Sequence, residues 1–301
     1  MSQRQAANSA PQTVRKAKVQ GCLGIIAGRG SLPSIIAEAA MANNIPVHIV
    51  GIRGEASENI ECFPHTWMKW GEVGRLFAAL NDNDCTDLVI IGGVNRPDFD
   101  NIRFDLGAIK TLPFLLSLAK GGDDYLLSRI VRFFEEKGYR VHGAGDVLPE
   151  LLAAEGTLTT KAPSSDDRAD MATAFNVVRA LGRFDIGQAA VVARGHVLAV
   201  EAAEGTDALL ERCAAVRKQG RAHGTQTGVL VKAPKPGQEE RIDMPTIGPE
   251  TMHKAAAAGL AGVAVAAGHV LMAERAETIK AANAHKLFLV GQRWSEAETG
   301  D

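Results

Sequence analysis

The chain has 301 residues, 46% hydrophobic and 5% aromatic, with 31 glycines and a formal net charge of −2. That length suits two domains, and that composition suits an ordinary α/β protein. With few aromatics and no basic stripe, the chain offers no platform for single strands or duplex DNA, so no nucleic-acid partner is expected.

The four cysteines (Cys22, Cys62, Cys85, Cys213) form no C-x-x-C pair, and the eight histidines form no H-x-H or H-E-x-x-H pattern. This argues against a zinc ribbon, a disulfide framework and an all-histidine metal site, and fits a reducing cytoplasm. Residues 1–19 are polar and basic without an apolar core, and read as a disordered arm rather than a signal peptide. The run 255–273 contains no Asp, Glu, Lys or Arg, yet it is mostly Ala and Gly, includes His269 and is broken by Gly259, Gly262 and Gly268. It reads as soluble core rather than a membrane span.

The first half alternates strand and helix. An apolar run at 23–27 ends in Gly28-Arg29-Gly30-Ser31-Leu32-Pro33, and helical spacing follows over 33–42. A second strand is expected at 45–50, a second helix at 71–80 and a third strand at 87–91. The third strand delivers Gly92-Gly93-Val94-Asn95-Arg96-Pro97-Asp98. Such alternation implies parallel pairing in a Rossmann-like sheet, with ligands beyond the carboxyl ends of the strands. Gly28-x-Gly30-x-x-Pro33 resembles the dinucleotide fingerprint but carries Pro at its third position. The second strand also ends in Val50-Gly51-Ile52-Arg53, with no acid for a ribose hydroxyl. NAD and FAD are therefore disfavoured, while phosphate or nucleoside contacts at the helix start stay open beside a purely structural turn. Asn95-Arg96-Pro97-Asp98 reads either as cleft donors and acceptors or as an Asx turn with a surface ion pair.

Gly121-Gly122-Asp123-Asp124 precedes a helix expected at 125–137, where helix capping accounts for both acids and a metal role is the alternative. A strand at 139–142 closes the first unit. The segments 147–152 and 156–161 carry the chain across, and 162–167 reads as linker plus N-cap. The first domain is assigned to 20–158, the second to 159–293 and a tail to 294–301. In the second, a helix over 166–181 precedes a hairpin of 188–193 and 197–201. Thr206 or Asp207 is expected to cap a helix reaching 214. A strand over 228–232 and the segments 249–258, 262–266, 269–272, 278–284 and 287–290 complete a mixed sheet with helices.

The stretch from Lys232 to Gly248 holds three cations (Lys232, Lys235, Arg241), Asp243 between apolar neighbours, and the turn-formers Pro234, Pro236, Gly237 and Pro245. Prolines fix the backbone, so a rigid extended loop is expected, on which Arg241 and Asp243 share a face. Cations offset phosphate charge and a carboxylate holds a divalent metal or orients water, which suits a diphosphate. A charged connector is the alternative.

Seven motifs occur in order: Ile26-Ala-Gly-Arg-Gly-Ser-Leu-Pro33, Gly93-Val-Asn-Arg-Pro-Asp-Phe99, Gly122-Asp-Asp124, Asp185-Ile-Gly-Gln188, Val200-Glu-Ala-Ala-Glu-Gly-Thr-Asp207, Lys232-Ala-Pro-Lys-Pro236 and Arg241-Ile-Asp-Met-Pro-Thr-Ile-Gly248. Together they resemble the LpxI family of UDP-2,3-diacylglucosamine pyrophosphatases over about residues 22–292. The resemblance implies two unlike α/β domains holding a lipid sugar between them. It also implies cleavage of the substrate diphosphate to UMP and 2,3-diacylglucosamine 1-phosphate (lipid X) in lipid A biosynthesis, with Mg²⁺, or Mn²⁺ as its substitute. The family's key aspartate matches Asp243, as metal ligand or as base on the water. Gly28, Gly30, Ser31, Asn95, Arg96, Gln188, Thr206, Asp207, Lys232, Lys235, Arg241 and Thr246 are the expected substrate contacts. For Gln188, Glu201, Thr206 and Asp207, caps and cross-strand pairs are the competing reading.

Other diphosphatase signatures are absent: the Nudix helix, the D-x-H and G-N-H-D clusters and the P-loop. Two acyl chains require an apolar chamber, for which 112–118 and 255–267 are candidates beside ordinary core packing. The enzyme is expected in the cytoplasm, with transient contact to the inner face of the cytoplasmic membrane. Oligomeric state stays open, a homodimer included. A non-catalytic nucleotide-sugar or lipid carrier and a sugar-nucleotide transferase remain as rival functions.

Overall fold

The computed structural model describes residues 19–95, 105, 123–219 and 226–295. The motif positions Arg96 and Asp98, and the segment 112–118, lie outside these residues. The first domain runs β1 (Cys22–Ala27), α1 (Leu32–Ala42), β2 (Val47–Ile52), β3 (His65–Met68), α2 (Val73–Asp82), β4 (Cys85–Ile91), α3 (Asp123–Glu136), β5 (Arg140–His142) and the single turn α4 (Ala144–Val147). Its five strands lie in the order β3-β2-β1-β4-β5, and every pair is parallel. The central strand β1 is apolar and buried on both faces from Leu23 to Ala27, as a sheet covered on both sides requires. β2 starts at Val47 rather than 45 because Pro46 has no N–H for the ladder; its carbonyl instead accepts from Leu23 N at 2.8 Å. β3 escaped the sequence reading, since His65-Thr-Trp-Met68 is short and three of its four residues are only partly buried.

The second domain runs β6 (Gly156–Thr157), α5 (Ser165–Gly182), β7 (Ala189–Ala193), β8 (His196–Val200), α6 (Gly205–Lys218), β9 (Val229–Lys232), β10 (Thr246–Ile247), α7 (Pro249–Ala257), β11 (Gly262–Ala266), β12 (Leu271–Met272), α8 (Arg275–Ala284) and β13 (Phe288–Gln292). Six strands form a mixed sheet in the order β6-β13-β11-β9-β7-β8, with β9, β11 and β13 parallel and the others antiparallel to their neighbours. Thus Gly156 and Thr157 already belong to the second sheet. α5 opens on a capping box: Ser164 Oγ accepts from Asp167 N (3.2 Å), and Asp167 Oδ2 accepts from Ser164 N (2.9 Å). The alanine-rich stretch 255–267 supplies Ala255, Ala258, Val263, Ala264, Val265 and Ala266 to the buried core of this domain.

The domains meet through a seam of backbone bonds. Ala153 N donates to Val270 O (2.8 Å), Gly268 N donates to Ala153 O (2.9 Å), and Leu152 bridges Leu271. Leu271 is part of the core around β1 and α1, and Met244 packs against that same cluster. Ile242 packs against the core on the other face of the first sheet. Asp243 therefore lies between two side chains anchored in the first domain, although β9 and β10 on either side belong to the second.

Candidate active site

The loop after β9 is built from two turns. Lys235-Pro236-Gly237-Gln238 closes with Gln238 N donating to Lys235 O (3.1 Å), and Gly237 has φ +76°. Pro at the second and Gly at the third position are what a type II turn demands. Next, Ile242 N and Asp243 N both donate to Glu239 O, at 3.2 and 3.0 Å. The expected extended loop is thus corrected to a pair of turns, and Arg241 and Asp243 do not share a strand face.

This folding gathers donors on Asp243. Gln238 Nε2 donates to its Oδ2 (2.7 Å) and to its backbone carbonyl, and Gln188 Nε2 donates to Oδ2 at 3.2 Å. Gln238 Oε1 in turn accepts from Lys235 N (2.7 Å). Lys232 lies at the end of β9, 7% exposed, with Nζ donating to Thr246 O at 3.0 Å. Burial pushes its pKa down, against the opposing pull of Glu201, Asp207 and Asp243. Gln188, Lys232, Asp243 and Thr246 are thereby brought together.

The other two cations have carboxylate partners. Lys235 Nζ pairs with Asp185, which lies in the turn that follows α5. Arg241 grips Glu239 with Nε and Nη2, both at 2.7 Å, and reaches Glu135 of α3 in the first domain through Nη1 at 2.7 Å. This neutralisation raises the Arg241 pKa further and holds the Glu239 carboxyl below the usual range. Arg241 here ties the loop to the first domain.

Glu201, at the end of β8, is buried and accepts from Gln188 N (3.0 Å) and Thr206 Oγ (2.8 Å). The helix cap is Glu204, so Thr206 and Asp207 fall in the first turn of α6 instead of the cap position. Asp207 is exposed and pairs with Lys254 Nζ (3.0 Å).

The glycine cluster is separate. Arg29 and Gly93 exchange backbone bonds, at 2.7 and 3.2 Å. A Cβ on Gly28 would meet Gly93 O at 2.5 Å and Gly92 O at 2.6 Å. Packing between the loops of β1 and β4 thus requires Gly28 with no ligand involved. Gly30 has φ +99° and open space around it. Glu55 braces both loops, meeting Arg29 Nη1 at 3.4 Å and accepting from Asn95 N at 3.1 Å. Ser31 does not cap α1 with its side chain; its Oγ donates to Glu274 Oε1 (3.0 Å) across the seam. Glu274 follows β12, which pairs with β10, so this bond links the glycine cluster to the Asp243 loop.

Gln238, Asp185, Glu239 and Glu135 are the site neighbours that sequence reasoning passed over. Asp185 belongs to the Asp185-Ile-Gly-Gln188 motif, whereas Gln238 is uncharged and carries no sequence signal of its own. Among the described residues, no three His, Cys, Asp or Glu side chains gather closely enough to cage a metal.

Comparison with known proteins agrees with this architecture. Residues 22–151 match the model of the LpxI N-terminal domain, and residues 154–290 match that of the LpxI C-terminal domain. The chain is 42% identical over 271 residues to the UDP-2,3-diacylglucosamine pyrophosphatase LpxI of Caulobacter vibrioides, covering 89% of this chain and 96% of that protein. Two family models in order, and identity over nearly the full length of a relative, make this chain a member of the LpxI family.

Proposed function

We propose that this chain hydrolyses the diphosphate of UDP-2,3-diacylglucosamine to UMP and 2,3-diacylglucosamine 1-phosphate, a step of lipid A biosynthesis. The observation that carries the reading is the Asp243 carboxylate, held by the amides of Gln188 and Gln238 at the domain seam, near the buried cation of Lys232. The name of the Caulobacter relative supplies the substrate. In the reaction, water adds to one phosphorus and the bridging P–O bond breaks, leaving a phosphate on each product. The residues must offset charge at that phosphorus and position the water. Lys232 is desolvated, so its charge acts strongly on a phosphate oxygen placed near it. Asp243 accepts hydrogen bonds on Oδ2 from the amides of Gln188 and Gln238, an arrangement that orients the carboxylate.

Mg²⁺, or Mn²⁺ in its place, would supply a Lewis acid for the phosphate oxygens. The residues fit such an ion in one way: Asp243 as the protein ligand, with substrate oxygens and waters completing the shell, as Mg²⁺ commonly accepts. Acyl chains on the substrate bring the enzyme to the inner face of the cytoplasmic membrane as a peripheral protein. No described helix is long and apolar enough to cross it.

The test is UMP release from UDP-2,3-diacylglucosamine in the presence of Mg²⁺, with Asp243→Ala as control. Release by the wild type that the variant lacks supports the reading. Equal, slow release from both overturns it, and release only on adding a second acceptor would make the protein a transferase.

A further inference from the structure

We infer that Gln238 is a positioning residue of this site, setting the orientation of the Asp243 carboxylate. The inference rests on the diphosphatase reading and deepens it. Gln238 is 9% exposed, and a buried amide is costly unless its donor and acceptor are both satisfied. Both ends of its amide are engaged within the loop. Nε2 donates to the Asp243 carbonyl and to Oδ2 at 2.7 Å, while Oε1 accepts from Lys235 N at 2.7 Å. Its own backbone is the last residue of the turn fixed by Pro236 and Gly237, so the amide is aimed by rigid geometry rather than by chance. Gln188 adds a second N–H to the same oxygen at 3.2 Å. Two amide donors converging on Oδ2 select one carboxylate rotamer. Orienting shells of this kind commonly change activity 10–100-fold (about one to two decades) when removed.

Steady-state kinetics of Gln238→Met and Gln238→Glu, in wild-type and Asp243→Ala backgrounds, test this. Both variants should lower kcat by about 10–100-fold with KM nearly unchanged. In the Asp243→Ala background, assayed at high enzyme concentration, neither should lower it further, because the residue through which Gln238 acts is gone. A kcat preserved in either variant, or an equal loss in both backgrounds, overturns the inference. If Gln238→Met does not fold, as read by circular dichroism, Gln238→Glu alone decides: it keeps the acceptor for Lys235 N and replaces the donor. A crystal structure of the folded variant reads positioning independently of any reaction. An unmoved Asp243 carboxylate overturns the inference, whereas failure of the wild type to release UMP overturns the proposed function instead.

At the amino ends of β1 and β4 two thiols meet: Cys85 Sγ donates to Cys22 Sγ at 3.2 Å, and the two residues pair across the strands just before a shift in their register. We propose that Cys22 and Cys85 form a reversible disulfide when peroxide reaches the chain. The two sulfurs already lie 3.2 Å apart, so reaching the ~2.05 Å of an S–S bond requires only a small approach. Cys22 is partly exposed and Cys85 buried, so Cys22 meets the oxidant. The hydrogen bond from Cys85 draws the Cys22 pKa down and favours its thiolate. That thiolate attacks one peroxide oxygen, the O–O bond breaks, and the released hydroxide takes up a proton as water. The Cys85 thiol then attacks the Cys22 sulfenic sulfur, the S–O bond breaks and a second water leaves. Two thiols are oxidised and one hydrogen peroxide is reduced.

The test is peptide mass mapping of a Cys62→Ser protein after hydrogen peroxide and alkylation. A linked peptide pair holding Cys22 and Cys85, lighter by two hydrogens and separated by dithiothreitol, is expected, and it should vanish in Cys22→Ser. Recovery of Cys22 as free thiol or as sulfinic acid, with no linked pair, overturns the proposal.

Discussion

Asp87 and Asp243 are both held by several donors, and the donors differ in charge. Asp87 sits near the start of β4 with a fully buried side chain. It accepts from Arg140 Nε (2.9 Å), Arg140 Nη2 (2.6 Å) and Gln20 N (3.1 Å), with His142 Nε2 at 2.6 Å. Burial alone would raise its pKa, but the bonds from Arg140 and His142 win and pull it to about 2. Asp243 lies at the opposite kind of place, on a loop between domains, with glutamine amides on Oδ2. A carboxylate facing a guanidinium has its field spent locally and serves the fold. One held by glutamine amides beside a buried lysine is fixed in direction at the seam where a phosphate is proposed to sit.

Substitutions should separate the two roles. Asp243→Asn keeps the shape and removes the charge, so UMP release should fall by about 10³-fold, with thermal unfolding near that of the wild type. A variant that melts early would move Asp243 into the class of Asp87. Gly28→Ala comes next, because its Cβ would press on two backbone oxygens. A loss of up to about 3 kcal/mol in urea unfolding is expected. Unchanged stability would show that the loops of β1 and β4 can part.

Asp87→Asn should cost about 2 kcal/mol at neutral pH and leave turnover alone. Its pKa is about 2 in the fold against an ordinary value of 3.8. The stabilisation is therefore complete above the ordinary value and is lost as pH falls towards 2. Wild type and variant should converge in urea unfolding as pH drops through that window. The smallest effect belongs to Glu135→Gln, which loosens the partly exposed interdomain pair with Arg241. Less than about 1 kcal/mol is expected, and a large fall in UMP release would show that this contact orders the loop.

Much of the fold was legible because its strands are apolar runs bounded by glycine and proline. Leu23–Ala27 and Val229–Lys232 declare themselves in this way. β3 did not, since His65, Thr66 and Trp67 are held by pairing with β2 and not by a pattern of their own. In the site, charge was a good guide to the loop and a poor guide to its wiring. Lys235 and Arg241 are expected phosphate contacts, and their ion pairs with Asp185, Glu239 and Glu135 appear only on folding. Gln238 was hidden for the converse reason: its importance lies in two turns that bring its amide back onto Asp243.

Ile242 and Met244, one residue to either side of Asp243, are rooted in the two cores that flank the first sheet. The carboxylate proposed to act in the reaction is thus mounted on one domain and oriented by glutamines of the other. Such a molecule resists modular exchange: grafting the second domain onto a foreign partner would carry Asp243 across without the side chains that anchor its neighbours. Drift in the core of the first domain would be felt as lost turnover before it was felt as lost folding.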